Sequence, residues 1–575
     1  MGLVRTAFVN ITRQNRFETY VRILFKLAGF LQARRLLRLL GFASEPKQGE
    51  TLKMITETSK SVRATDASVR PMTGAEYLES LRDGREIWLY GERVKDVTTH
   101  PGFRNTARMI ARLYDALHDP KLKPVLTTET DTGSGSFTHR FFRAPNSGEE
   151  QLKARNAIAE WCRLTYGWLG RSPDYKASFL ATLGANSSFY APYDANAKAW
   201  YKKAQERVMF LNHAIIHPPV DRDRPIHERA EACVHVVKEG DAGIWVSGAK
   251  IVATGSALTH ATFVAHHGLI PVQDRKYACV FMVPMNARGV KLISRTSYEN
   301  TAAVMGSPFD YPLSSRLDEN DAIFVLDNAF IPWEDVFVYG DIETANNFFP
   351  RTGFITRALL QGCTRLAVKL EFIAGLMMKA LEATGTKDYR GQQVRVGEVI
   401  AYRNLFWSLS EAMARDASPW VNGAVLPNYE ASTAYHVFGA TFYPVVKNLI
   451  EQSVASGLIY LNSSARDFKN PELRPYLDKY LRGSGGYDAE QRVKLMKLLW
   501  DSIGSEFGAR HELYEINYSG STEENRVTCL NIANATGLSE RMKELVDKCM
   551  AEYDVNGWTV PDLINPDDVS WFPAR

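Results

Sequence analysis

Ile244-Trp-Val-Ser-Gly-Ala-Lys-Ile-Val-Ala-Thr254, opened by Glu239-Gly-Asp-Ala-Gly243, marks the point where the apolar pattern of this 575-residue chain turns from helical spacing to a period of two. The same alternation returns in Tyr277-Ala-Cys-Val-Phe-Met-Val-Pro284, in Gly289-Val-Lys-Leu-Ile-Ser294 and through Ala322-Ile-Phe-Val-Leu-Asp-Asn-Ala-Phe-Ile-Pro-Trp333. Short alternating runs separated by Gly, Asn and Asp predict a compact antiparallel β-domain, placed over residues 206–340. Pro312-Leu-Ser-Ser-Arg316 reads as a turn within it.

Helical spacing lies on both sides. Residues 72–205 read as an N-terminal helical domain, with apolar residues three and four apart in Thr106–His118 and Glu149–Tyr166. Between these, Asp131-Thr-Gly-Ser-Gly-Ser-Phe-Thr-His139 is glycine-rich, but no helical pattern follows it, so it is a loop rather than a phosphate cradle. Residues 341–575 read as a helical bundle with a turn-rich tail from Val560: Arg365–Thr384 ending at Gly385, then Gly397–Asp416, Ala431–Leu461, Asp488–Phe507 and Ser539–Tyr553. The fold class is therefore α+β, in the order helices, β-domain, helices.

Residues 1–71 form a basic extension. Up to Ala43 it carries eight Lys or Arg and one acid, Glu18. Arg22, Lys26, Arg34 and Arg35 interrupt its apolar run too often for a membrane span. It reads as an amphipathic surface or presequence helix, as a docking arm, or as upstream translated sequence with the working protein starting near Met54. Over the whole chain, 45% hydrophobic and 23% charged residues describe a soluble globular protein, and a net charge of +4 gives no reason to expect nucleic acid. Six scattered cysteines without a CxxC exclude a thiolate-ligated metal or cluster and point to reduced thiols, hence the cytoplasm. No Walker, HExxH, GxSxG or strand-to-helix GxGxxG motif is present, and His227-Glu228 lacks a second histidine one turn on, so no metal site is expected.

The chemistry is carried by Arg171-Ser-Pro-Asp-Tyr-Lys176 and Asn212-His-Ala-Ile215. Ser172-Pro173-Asp174 is a helix-start pattern: a hydroxyl at N-cap, proline at N1 and a carboxylate at the positive helix end. It puts Arg171 and Tyr175 at one helix mouth. Taken alone, this is equally an ordinary cap beside a surface arginine, and His213 a satisfied core histidine.

Longer runs weigh against the ordinary reading. Asp83-Gly-Arg-Glu-Ile-Trp-Leu-Tyr-Gly-Glu-Arg-Val-Lys-Asp-Val-Thr-Thr-His-Pro101, Phe210–Ile215, Val246–Thr254, Gly306-Ser-Pro-Phe-Asp-Tyr-Pro-Leu-Ser-Ser-Arg316 and Gly504–Ser521 resemble the oxygenase component of 4-hydroxyphenylacetate 3-monooxygenase, a two-component aromatic hydroxylase family. The resemblance covers about Pro71 to Pro566 and favours the upstream-start reading of the extension. It implies an acyl-CoA dehydrogenase-like fold, in which the middle domain is an antiparallel β-barrel and the C-terminal domain a four-helix bundle. It implies ortho-hydroxylation of a para-substituted phenol to a catechol through a flavin C4a-hydroperoxide. The cofactors would be FAD, as FADH2 from a separate NADH:flavin reductase, and molecular oxygen; the assembly would be a homotetramer.

By the same resemblance Arg171, Tyr175 and His213 contact the phenolic oxygen. A guanidinium stabilises phenolate without losing its proton, and hydroxyl or imidazole can bond the same oxygen or take its proton. Flavin contacts carry over to His213, Ala214, Ile215, to the turn Pro219, Val220, Asp221, Arg222, to Thr254, and to Asn517, Tyr518, Ser519, Gly520. Two departures from the family pattern concern the substrate: the loop Ala265–Asp274 is shorter, and Ala358 stands where a pocket tyrosine is expected, which would enlarge the site. Hydroxycinnamate (4-coumarate), tyrosol, phenol or a halophenol therefore stay open as substrates, as does an acyl-CoA dehydrogenase-like flavoprotein as the alternative activity.

Overall fold

The computed structural model describes residues 69–229, 231–267, 271–518 and 520–563. Residues 1–68 of the extension, Ser519, residues 268–270 of the 265–274 loop and the end of the tail from residue 564 lie outside the described residues.

In chain order, a hairpin of β1 (Glu86–Leu89) and β2 (Glu92–Val94) precedes α1 (Arg104–Ala116), α2 (Gly148–Leu164), α3 (Pro173–Ala185) and α4 (Asp194–Arg207). Eight strands follow: β3 (Leu211–Ala214), β4 (His235–Gly240), β5 (Gly243–Lys250), β6 (Ala261–Val264), β7 (Cys279–Pro284), β8 (Val290–Ser294), β9 (Ala322–Pro332) and β10 (Val336–Tyr339). The C-terminal helices are α5 (Phe354–Thr384), α6 (Arg390–Arg415), α7 (Tyr429–Val454), α8 (Ala489–Ile503), α9 (Glu506–Ile516), α10 (Thr522–Ala535) and α11 (Leu538–Met550).

Local chemistry accounts for most boundaries. On α1, Ala107, Ile110, Ala111 and Tyr114 form a buried stripe while Arg108 and Arg112 stay exposed. Ser147 caps α2 by accepting from the Glu150 N–H at 3.2 Å. Gly385, with φ at +73°, closes α5 in the left-handed conformation that glycine adopts without strain. Helix α5 begins at Phe354, well before the expected Arg365. Its first turns are buried nearly all round, so their helical period shows no polar contrast in the sequence. Helix α3 is likewise buried on every side from Pro173 to Leu183, packed between α4, α5 and β3.

The middle strands make two sheets rather than the expected closed antiparallel barrel. The larger has the order β2-β1-β8-β9-β5-β4 and the smaller β10-β7-β6-β3. Strand β1, arriving from upstream of α1, docks parallel on β8 with Glu86 opposite Lys291. Strand β3 lies parallel to β6 with His213 opposite Phe263. Closing the large sheet would require β2 against β4, and these stand at opposite edges of six strands. Alternation reveals which residues are extended; it carries no information about which distant strand takes an edge. Between Leu326 and Ala329 the β9–β5 register shifts, which bends the pair. Helix α5 packs against α2, α3, α6 and α7 and carries the core of the C-terminal helices. No helix of the described residues is long and apolar enough to cross a membrane.

Candidate active site

A cavity of about 600 Å³ opens where α3, β3, the end of β5 and α9 meet. Arg171 stands at the mouth of α3. Its Nη1 donates to the Tyr514 hydroxyl at 2.8 Å, and its guanidinium lies 4.0 Å from the centre of the Tyr175 ring and 5.1 Å from that of Tyr518. Its backbone N–H donates to Glu319. Burial, the largest influence, works against its charge, but the three tyrosine hydroxyls and Glu319 outweigh it and hold the pKa above that of a free arginine. A cation thus lines the cavity, and among the described residues its other guanidinium N–H groups meet no hydrogen-bond acceptor.

Tyr175 is one residue into the second half of the first turn of α3, four after Arg171, and its ring is buried. Its hydroxyl makes no hydrogen bond to the described residues. His213, on β3, has its ring centroid 5.7 Å from that of Tyr175, and its Nδ1 is buried without a partner. Burial, then Lys176 and Arg171, lower its pKa well below the usual histidine value, so the imidazole is neutral.

The hydroxyl cap expected of Ser172 is not made. Its Oγ donates to the Asp174 carboxylate instead. Asp174 is fully buried, and burial pushes its pKa up to about 6, so a hydroxyl donor stabilises it more than an N–H at the solvent-free helix start requires a cap. Gln361 of α5 reaches both Ser172 and Asp174, tying the start of α3 to the central helix.

Of the residues expected to touch flavin, His213, Ile215, Arg222, Thr254, Asn517 and Gly520 line the cavity. Ala214 is buried within the sheet, opposite Val264, and Pro219, Val220 and Asp221 lie in an exposed turn beside the lining. Tyr518 is buried behind the wall: its hydroxyl donates to the Ala358 carbonyl at 2.8 Å, and its own carbonyl receives His436 Nε2 at 3.1 Å. Ser519 lies outside the described residues. Ala358, expected to enlarge the site, is fully buried and lines none of the cavity. The wall nearest it along α5 is made by Phe354 and Ile355.

Sequence reasoning missed half of the polar wall. Arg510 bonds Asp321 through Nη2 at 2.8 Å and Nε at 3.1 Å, and Glu319 through Nη1 at 3.2 Å. Arg295 completes the pairing of Asp321 at 2.9 Å, and Thr254 Oγ1 donates to it at 2.5 Å. Arg510 together with Arg295 outweighs the cost of burying Asp321, holding its pKa below the carboxylate range. Arg510 and Tyr514 on α9 and Asn517 at its C-cap are four and three residues apart, a one-face spacing that was open to reading in the sequence. Asp321 and Glu319, in the segment leading into β9, carried no such signal.

The lining is thus aliphatic on one side, through Ile215, Ile216 and Ile251, and polar on the other. That division suits a flat ring system with a polar edge. Thr254 spends its only proton on Asp321 and offers lone pairs to an N–H of such a ring, while Arg222 at the exposed turn suits an anionic tail.

Known proteins resemble this chain over most of its length. Residues 73–338 match the family profile described as 4-hydroxyphenylacetate 3-hydroxylase N terminal, and residues 345–547 match its C-terminal counterpart. The chain is 58% identical to the oxygenase component of 4-nitrophenol 2-monooxygenase from Rhodococcus sp, over 87% of this chain and 96% of that protein. It is 59% identical to the (3S)-3-amino-3-(3-chloro-4-hydroxyphenyl)propanoyl-[peptidyl-carrier protein SgcC2] monooxygenase of Streptomyces globisporus, over 88% of this chain and 96% of that one. Among solved structures, the oxygenase component (HpaB) of 4-hydroxyphenylacetate 3-monooxygenase complexed with FAD and 4-hydroxyphenylacetate superimposes with a TM-score of 0.78 at 32% identity. That match covers 83% of this chain and 99% of the other.

Proposed function

The chain belongs to the 4-hydroxyphenylacetate 3-hydroxylase family, and from that premise we propose that it is a flavin-dependent monooxygenase converting a para-substituted phenol to a catechol. The observation that carries this reading is Arg171, pinned by Tyr514 and Tyr175 at the wall of the cavity and facing a neutral His213. Reduced FAD with molecular oxygen supplies the electrophilic oxygen atom when bound. Ile215, Thr254, Arg222, Asn517 and Gly520 are the residues that would hold it. Delivery by a separate reductase follows from the relatives being oxygenase components.

The protein's own task is to place the phenol and raise its electron density. Arg171 receives the phenolic oxygen with open N–H donors and favours its ionised form, since the guanidinium keeps its charge throughout. The free Tyr175 hydroxyl and the unpartnered His213 bond to the same oxygen and set the direction of the ring. Phe349, Phe354 and Ile355 shut water from the ring face. The named relatives differ in what stands para to the hydroxyl, and 4-hydroxyphenylacetate is the reference substrate for this chain. The enzyme works as a cytoplasmic homotetramer.

The experiment is anaerobic mixing of protein, photoreduced FAD and one phenol, followed by oxygen. 4-Hydroxyphenylacetate, 4-nitrophenol and 4-coumarate form the first panel. Catechol from at least one of them supports the proposal; reduced flavin that oxidises with no catechol from any phenol ends it. A tightly held yellow flavin in the isolated protein would instead favour the dehydrogenase-like alternative.

A further inference from the structure

We propose that Lys176 is a catalytic base of this site, whose Nζ takes the proton of the substrate's phenolic hydroxyl. The inference rests on the phenol-hydroxylase reading and assigns its proton transfer to one residue. Lys176 follows Tyr175 on α3 and lines the cavity, yet only 1% of it is exposed. Its Nζ donates to Asn212 Oδ1 at 2.9 Å. Asn212 Nδ2 in turn donates to Thr262 Oγ1 at 3.2 Å, which fixes the amide end that meets the lysine.

Among the described residues no carboxylate comes within ion-pair distance of this Nζ. The two that face it, Glu319 and Asp321, are already engaged by Arg171, Arg510, Arg295 and Thr254. Two other groups face it: Arg171, a permanent cation, and His213, a neutral ring. Burial first, and Arg171 second, lower the pKa of Lys176 well below that of a free lysine. The amine then has a lone pair for a proton, a role in which buried lysines serve and which arginine cannot fill.

A phenol whose oxygen is received by Arg171 completes the exchange. The O–H bond breaks with its electron pair staying on oxygen, and an N–H bond forms on Nζ. The site's net charge is unchanged, and the new ammonium has an anion beside it. The hydroxylated ring regains aromaticity when its ortho C–H bond breaks, the proton leaving to solvent and the electron pair returning through the ring to the phenolic oxygen; that oxygen takes its own proton back from Nζ, and the lysine ends neutral. His213 is the weaker candidate, because burial and the permanent cation of Arg171 both oppose its protonation.

The test uses the full chain with reduced FAD in the absence of oxygen, and 4-nitrophenol, whose phenolate band is visible. At a pH where free 4-nitrophenol is protonated, the wild type should bind it with the phenolate band and release no proton to a weakly buffered indicator solution. Lys176→Met, which puts an apolar side chain of similar length in place of the buried amine, should raise the midpoint of the bound phenol by about 1–3 pH units. Lys176→Arg puts a permanent cation there that cannot take a proton; it should keep the band but release one proton per phenol bound. His213→Gln should retain the wild-type proton balance. The proposal is overturned if Lys176→Met keeps the wild-type midpoint, if Lys176→Arg keeps the wild-type proton balance, or if His213→Gln alone abolishes it. A wild-type protein that binds none of the phenols would overturn the functional reading itself, a separate and recognisable outcome.

Discussion

Replacing Arg171 by alanine should separate phenol binding from flavin binding. The lost side chain removes one charge-assisted hydrogen bond to the phenolic oxygen, worth about 1.5–3 kcal/mol, or roughly a ten- to 150-fold rise in the phenol's Kd. The local fold should survive. Glu319 accepts from the backbone N–H of Arg171, which alanine keeps, and Pro173 still starts α3. The Tyr514 hydroxyl loses its donor, but it lines the cavity and water can replace the guanidinium there. Equilibrium titration of 4-hydroxyphenylacetate and, anaerobically, of reduced FAD reads the two affinities on the same preparation. The expected result is phenol affinity down by the stated factor and FADH2 affinity little changed. Equal loss of both would assign Arg171 a structural task and remove the clamp from the account.

Other parts of the structure make independent forecasts. A Cβ at Gly170 would come 2.5 Å from the Tyr514 ring and hydroxyl, so Gly170→Ala should displace the group that pins Arg171 and cost about 1–3 kcal/mol in overpacking; phenol affinity should fall with it, and an unchanged Kd would show that Tyr514 does not position the arginine. Glu515 is buried against Arg365 at 2.6 Å and Lys369 at 3.0 Å. Glu515→Gln leaves two buried cations underpaired and should cost about 3–5 kcal/mol in denaturant unfolding, with a cost below 1 kcal/mol refuting the buried-pair picture. His139, stacked 4.0 Å from Trp161, is pushed down to about 3 by burial. Its unfolded form takes a proton below about 6.5, so stability is full above that pH and declines as acid is added towards pH 3, by about 2 kcal/mol at pH 5. His139→Phe should flatten that decline in a comparison of unfolding at pH 7 and pH 5.

What was legible in the sequence was local. The switch to a period of two located strands β5, β7, β8 and β9, and Gly385 marked the end of the central helix, because each signal depends on neighbours in the chain. The motif at Arg171 and His213 likewise pointed to two side chains that line one cavity. The unread features depend on distant partners. Strand β1 pairs with β8 across two hundred residues of chain, and no alternation in either segment announces it. Ser172 turned from capping to Asp174 because that carboxyl became buried by α5. Ala358 was read as a pocket position; in the fold it is fully buried and lines none of the cavity, and its backbone carbonyl accepts from the Tyr518 hydroxyl. Lys176 was quoted within the motif but given no task, since only the fold shows that its amine is buried with no carboxylate of the described residues within ion-pair distance. Arg510 and Tyr514 had a readable one-face spacing; Asp321, which organises them, did not.

The central claim is that this cavity holds a phenol for oxygenation. A single turnover with photoreduced FAD, isotopically labelled oxygen gas and 4-hydroxyphenylacetate or another para-substituted phenol tests it most directly. The account predicts a catechol carrying one labelled oxygen atom in the wild type and strongly reduced yield in Arg171→Ala at the same phenol concentration. Flavin oxidation that yields only hydrogen peroxide with every phenol, or a catechol whose new oxygen is unlabelled, would contradict it.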